Sequence, residues 1–234
     1  MNKLNRIILA FAFSVSSIAV QSQNAAGELA LIRNAYLQCK QLSFDVEVYS
    51  YSNKTDKVPE LVSKGNVRKK EENYYSGFGE YELLIKGAQG VLVNNREKTM
   101  RYYMNKTEKQ KWSEGMALNM DSVFSVTDSI VLRPATAGTK HLTIFSKAGY
   151  IRQTELYIDA KSNLITHILY YYVPSTDDYE IEVDRVEVFY KNVSTQYVDE
   201  SYFDFNRYFK LSKTVMTPVG KYQKYKTDLY NSKS

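Results

Sequence analysis

Between Ile151 and Tyr190, hydrophobic and polar residues alternate in three consecutive runs. In the first, Ile151–Ile158, Thr154, Leu156 and Ile158 fall on one side and Gln153, Glu155 and Tyr157 on the other. Asp159-Ala160-Lys161-Ser162-Asn163 has turn composition. Leu164–Val173 resumes with β-branched and aromatic residues, Pro174–Asp178 breaks it, and Tyr179–Tyr190 closes on Val186, Val188 and Tyr190. A period of two with short polar breaks predicts an antiparallel meander. Such a sheet keeps one face wet and one apolar, and something must cover the apolar face.

Upstream the period changes twice. Leu29, Ile32, Tyr36, Cys39 and Leu42 form a helical stripe over Glu28–Leu42, with Asn24 placed to cap it. Phe44, Val46 and Val48 then switch to strand spacing. Ser52–Glu60, polar with Pro59, reads as a hairpin loop before a strand over Leu61–Lys70. Asn73–Gly79 has turn character. Short strands are predicted at Tyr81–Lys86, Val91–Asn95 and Thr99–Met104, the first two separated by Gly87-Ala88-Gln89-Gly90. Met116, Met120, Val123 and Phe124 share one helical face in a second predicted helix, Ser113 to about Ile130. Lys140–Phe145 returns to strand, Lys191–Glu200 reads as a bulged strand or loop, and Ser201–Leu211 is aromatic and amphipathic. Lys213–Ser234 reads as polar, its end a weakly ordered tail. About ten strands against two helices predict a mainly β fold with α: a strongly curved antiparallel sheet, an incomplete β-barrel, with helices covering its concave face. One domain is expected from Gln23 to about Tyr225, with residues 226–234 as the tail.

Composition sharpens the compartment. Lys3 and Arg6 precede an apolar run from Ile7 to Val20, and Val20-Gln21-Ser22 suits cleavage before Gln23. The run is short of the roughly 20 residues of a spanning helix. A signal peptide over residues 1–22 and a periplasmic location after crossing the inner membrane are therefore expected. The formal net charge of +5 includes Lys3 and Arg6, so a cleaved chain is less basic. The 21 Tyr, with 10 Phe, suit half-exposed sheet faces. Cys39 is the single cysteine, so no intramolecular disulfide forms, and its spacing makes it a small hydrophobe.

The inventory of chemistry is thin. His141 and His167 sit in separate predicted strands and read as half-buried strand residues. No His/Cys/carboxylate cluster has metal-ligand spacing, and no phosphate-loop, nucleophile-elbow or paired-cysteine motif occurs. Asp177-Asp178 diverge in a turn, and Asp184 and Glu187 read as outer-face charges. Glu71-Glu72 answer Arg68-Lys69-Lys70, which argues against nucleic acid. Three N-x-S/T sequons occur, at Asn53, Asn105 and Asn192. The reading is non-catalytic, with no cofactor and no metal.

Several segments carry a family resemblance. Ala35-Tyr36-Leu37 with Leu42-Ser43-Phe44-Asp45-Val46 matches the end of an opening helix and its strand. Gly65-Asn66-Val67-Arg68-Lys69 leads to the pair Tyr74-Tyr75. Val93 to Tyr102-Tyr103 matches a middle strand pair, and Val188-Phe189-Tyr190, Asn192-Val193, Val198-Asp199 and Phe203-Asp204-Phe205 match the closing pattern. In this order the segments resemble the LolA-like family, periplasmic carriers of outer-membrane lipoproteins. The family has a proline-rich apolar segment where Asn206-Arg207-Tyr208-Phe209 stands here.

The resemblance implies an incomplete barrel lidded by helices over a cavity for acyl chains. The candidate lining residues are Phe44, Val46, Val48, Leu83, Ile85, Val91, Val93, Leu156, Ile158, Val186 and Val188, with Met116, Met120 and Phe124 from the second helix. The expected partners are lipid acyl chains or lipoproteins, and envelope proteins. A monomer that does not bind nucleic acid is expected. The alternative function is a non-catalytic structural or interaction protein of the same fold in an envelope-associated complex.

Overall fold

The computed structural model describes residues 25–103, 127–173, 183–212 and 215–230. They comprise one α-helix, α1 (25–38), and fourteen strands. These are β1 (Gln41–Tyr51), β2 (Leu61–Lys70), β3 (Asn73–Phe78), β4 (Tyr81–Lys86), β5 (Gln89–Asn94), β6 (Thr99–Tyr103), β7 (Thr127–Arg133), β8 (Thr139–Ser146), β9 (Ile151–Asp159), β10 (Ile165–Tyr172), β11 (Arg185–Ser194), β12 (Phe209–Ser212), β13 (Val215–Pro218) and β14 (Lys226–Tyr230). Hydrogen bonds link twelve of them in the order β14-β6-β5-β4-β3-β2-β1-β11-β10-β9-β8-β7, and β12 pairs with β13 separately. Among the described residues no helix is long and apolar enough to cross a membrane.

The chain falls into two compact units. One comprises Met1–Gln38, Tyr49–Leu61 and Met120–Phe189; the other comprises Cys39–Val48, Val62–Asn119 and Tyr190–Ser234. For brevity they are the helix unit and the C-terminal unit.

The helix unit is built on the predicted meander. β8, β9 and β10 pair antiparallel, with Leu142 opposite Leu156 and Ile168 opposite Leu156 from the other side. A bulge between Ile165 and His167 lets Ile165 and Ile168 face the same way. α1 begins before Glu28 and ends before Cys39, short of the predicted Leu42, which lies in β1. Ala25, Leu29 and Ile32 are buried along its inner stripe. The predicted second helix meets a correction at its end: Thr127–Arg133 is strand β7, paired antiparallel with β8. The rest of that prediction lies outside the described residues.

In the C-terminal unit, β2 to β6 form successive antiparallel hairpins. Asn73–Phe78, expected as a turn, is strand β3. Glycine is needed there because β2 and β3 approach closely: a Cβ on Gly65 would lie 2.5 Å from the Gly77 carbonyl oxygen. The segment expected as a tail contains β14, which runs parallel to β6. Ser201–Leu211 forms two short 3-10 turns, Glu200–Phe203 and Phe205–Arg207, before β12. Asp199 and Asp204 cap them by accepting from the backbone N–H groups of Ser201 and Asn206.

Candidate functional site

In the helix unit, the strand registers sort the side chains onto two faces. Ile130 lies opposite Ile144, and Leu132 opposite Leu142. Ile144 lies opposite Thr154 and Leu142 opposite Leu156. Thr154 faces Tyr170, which in turn faces Val186, while Ile168 faces Val188. One face is thus almost wholly apolar from β7 to β11.

α1 covers one end of this face. The Lys140 ammonium donates to Glu28 Oε2 at 2.5 Å and to Asn163 Oδ1 at 2.9 Å, which ties the first turns of the helix to β8. Near its other end, the Tyr36 hydroxyl accepts from the Ile165 N–H at 3.3 Å. Beneath it Leu142, Leu156, Ile158, Ile165 and Ile168 are buried. Along the same face, Ile130, Leu132, Tyr170, Val186 and Val188 remain half-exposed. Burial raises the Tyr170 pKa, as expected of a phenol held against hydrocarbon. Among the described residues the apolar face therefore runs past its helical cover.

The opposite face is aromatic and polar. His141, Tyr157, His167 and Phe189 stack across four strands, with centroid separations of 4.3, 5.1 and 4.1 Å. Tyr49 closes the column edge-on, 5.6 Å from Phe189. Beside it the Glu155 carboxylate accepts from Tyr157 at 3.2 Å and from Gln153 at 2.8 Å, and lies 3.4 Å from His141 Nε2. Burial and Glu155 push the Tyr157 phenol up to about 12. Burial drives His167 down to about 4, against the pull of Glu155. His167 is thus held neutral between two rings, and its buried Nε2 has no hydrogen-bond partner among the described residues.

In the C-terminal unit one sheet face is closed by the chain itself. Tyr75, Leu84, Val91, Val93, Met100 and Tyr102 meet Val198, Phe203, Tyr208, Phe209, Met216 and Tyr222 in one core. Inside this core sits Glu82, only 7% exposed. Its carboxylate accepts from the Tyr222 hydroxyl at 2.9 Å, the Lys221 ammonium at 3.0 Å, the Asn95 amide at 3.2 Å and the Tyr208 hydroxyl at 3.3 Å. Burial alone pushes Glu82 up, but donation from Lys221, Asn95 and Tyr222 outweighs it and holds the carboxyl below its ordinary range. Arg207 lies 5.2 Å from the centre of the Tyr75 ring and donates to the Tyr202 carbonyl. This arrangement fastens the C-terminal segment to the sheet.

The other face of this unit holds Leu83 opposite Leu92, and Ile85 opposite Tyr74. On β1, ion pairs of Asp45 with Arg68 and of Glu47 with Lys64 turn the acids to Arg68's side, so Phe44, Val46 and Val48 alternate to the other. Phe44, Val46, Val48 and Leu83 are half-exposed and Ile85 is buried. Arg68 is occupied: it also donates to the carbonyls of Phe44 and Val67.

The predicted lining residues divide accordingly. Leu156, Ile158, Val186 and Val188 share one face of the helix unit. Phe44, Val46, Val48, Leu83 and Ile85 share one face of the C-terminal unit. Val91 and Val93 do not join them: they pair with Leu84 and Glu82, on the face that the chain closes upon itself. The physical reason is alternation: Leu84 and Glu82 are their register partners, and the two-residue turn Gly87-Ala88, like the predicted four-residue one, leaves Val91 and Val93 on the face away from Leu83 and Ile85. Met116, Met120 and Phe124 lie outside the described residues. The sequence reading missed Glu82 and Tyr170, and no local motif marks either. Among the described residues no group of three His, Cys, Asp or Glu side chains is placed to hold a metal ion. Cys39 is half-buried and its thiol is pushed up by burial, with Lys69 opposing, which favours the protonated thiol.

No protein-family model and no curated protein sequence matches the chain. Solved structures do. An uncharacterised conserved protein from Thermus thermophilus aligns over 82% of this chain and 98% of its own, at 11% identity and a TM-score of 0.48. A LolA superfamily protein from Nitrosomonas europaea aligns over 78% of this chain and 98% of its own, at 11% identity and a TM-score of 0.34. The Mycobacterium tuberculosis lipoprotein LppX aligns over 76% and 98%, at 10% identity and a TM-score of 0.39.

Proposed function

We propose that the chain is a periplasmic carrier that holds lipid or lipoprotein acyl chains on the apolar face of its helix unit, against α1. One observation carries the reading: Ile130, Leu132, Tyr170, Val186 and Val188 continue the face that α1 covers, yet are only half-buried. An apolar surface next to a movable cover is what a hydrocarbon chain requires, since burial of about a dozen methylenes contributes roughly 10 kcal/mol at ~0.8 kcal/mol each before the cost of displacing the cover. No nucleophile, metal centre or paired acid and base is called for, so the function is binding and transfer.

The test is titration of the full chain with a fluorescent long-chain fatty acid. Saturable binding is expected, weakened at least about tenfold by Val188→Asp and unchanged by Val215→Asp, an exposed position of the C-terminal unit. Absence of saturable binding, or equal weakening by both substitutions, rejects the reading. The competing reading, a non-catalytic interaction protein, draws on the C-terminal unit, where Glu82, its partners and the chain's own apolar side chains close one face. Under that reading the fatty acid does not bind and an envelope protein does.

A further inference from the structure

The C-terminal unit ends on a strand whose hold differs from that of its neighbours. β14 pairs with β6 through five residues, Lys226 opposite Thr99 to Tyr230 opposite Tyr103. Lys226, Thr227 and Asp228 are exposed, and Leu229 is the half-buried apolar contact with the core. The ion pair of Asp228 with Arg101 has both side chains more than half exposed, at 59% and 55%, and so holds weakly. β6 itself is firm: Met100 and Tyr102 are almost fully buried. Just before β14 the chain is pinned. Tyr222 is buried on Glu82, and the Tyr225 hydroxyl donates to Asn95 Oδ1 at 2.9 Å. A buried anchor at Tyr222 thus precedes, by four residues, a strand with exposed side chains on a well-formed edge.

We propose that β6 is a strand-acceptor edge, filled in cis by the protein's own C-terminal strand, and that the same strand of a second copy fills it in trans. The occupant is set by the register already in place. The second copy's Asp228 meets Arg101, its Leu229 meets Tyr102, and its backbone completes the same parallel ladder. Reciprocal exchange is isologous and closes at two copies, with each Tyr222 left seated on its own Glu82 and residues 223–225 released to cross between the copies. An edge left unpaired by release of β14 recruits whatever extended chain is nearest, and the tethered copy competes through its high effective concentration. Exchange is therefore slow and concentration-dependent, and it joins two carriers without altering the apolar face of the helix unit.

The experiment uses a fluorescently labelled peptide spanning Lys224–Ser234, titrated into the full-length protein and into its full-length Leu229→Asp variant. The variant is expected to bind the peptide saturably and about tenfold or more tighter than wild type, because its own strand competes poorly. A peptide carrying the same substitution is expected to bind neither. Equal affinity for both proteins, no binding to a variant that retains its β-sheet circular dichroism, or indifference to the peptide substitution overturns the proposal. Amide hydrogen exchange on wild type decides the matter should the variant fail to fold. The β14 amides are expected to exchange well ahead of the β5–β6 ladder, and exchange of the two in step overturns the proposal.

Discussion

The two units cover apolar sheet surface in opposite ways. In the C-terminal unit the chain closes one face with six residues of its own C-terminal segment and fixes the closure with a buried carboxylate that has four partner residues. In the helix unit the cover among the described residues is one amphipathic helix, and the face continues beyond it. The difference teaches that burial alone does not identify a ligand surface. A finished face is marked by polar groups satisfied inside it, as at Glu82. An unfinished one is marked by apolar residues that share a register with buried neighbours and yet meet solvent.

The comparison is broken most severely at Glu82. Glu82→Leu strands two tyrosine hydroxyls in an apolar core and takes the partner from the exposed Lys221, and unfolding by urea should show a loss of about 2–5 kcal/mol. Glu82→Gln keeps the shape and should cost less, while changing the pH dependence. A carboxyl held below its unfolded value stabilises above the unfolded pKa and loses that contribution as pH falls through the folded value. The acid-side decline should therefore be shallower in Glu82→Gln than in wild type. In the helix unit, Leu29→Ala removes a fully buried contact of α1 and should cost about 2–5 kcal/mol, toward the low end if the helix settles into the gap.

His167 sharpens the contrast from the other face of the helix unit. Its folded pKa of about 4 lies below the unfolded value of 6.5, so the unfolded chain binds more protons between the two. Stability is complete above pH 6.5 and falls as the pH is lowered from there toward 4. His167→Phe extends the ring stack and should flatten the thermal-denaturation profile across that window. The smallest effect belongs to the surface pair of Arg101 and Asp228: Asp228→Ala should change stability by less than about 1 kcal/mol, and less again in high salt.

Much of the scaffold was legible where local rules acted alone. β2 and β4 match their predicted spans because alternation and flanking turns agree there, and the meander over β8, β9 and β10 follows from its period of two. β3 was hidden by Ser76, Gly77 and Gly79, whose turn character is overridden by close packing on Gly65. β7 was hidden because a helical spacing from Met116 to Phe124 was carried on to Ile130. The C-terminal segment was the hardest part. Its structure comes from contacts with partners more than a hundred residues away, such as Tyr222 with Glu82, and it has little regular secondary structure of its own to leave a period. Among the candidate lining residues, alternation placed the β9 and β11 members on one face of the helix unit, while Val91 and Val93, opposite Leu84 and Glu82, alternate away from Leu83 and Ile85.

The central claim is that the apolar face beside α1 accepts hydrocarbon. The most direct measurement is photo-cross-linking of the full chain with a diazirine-bearing fatty acid, followed by peptide mapping. The account predicts adducts on β10, β11 and α1, at or near Tyr170, Val186, Val188 and Leu29, and none on Val91, Val93 or Phe203. Adducts confined to the C-terminal unit, or none that an unlabelled fatty acid displaces, would contradict it.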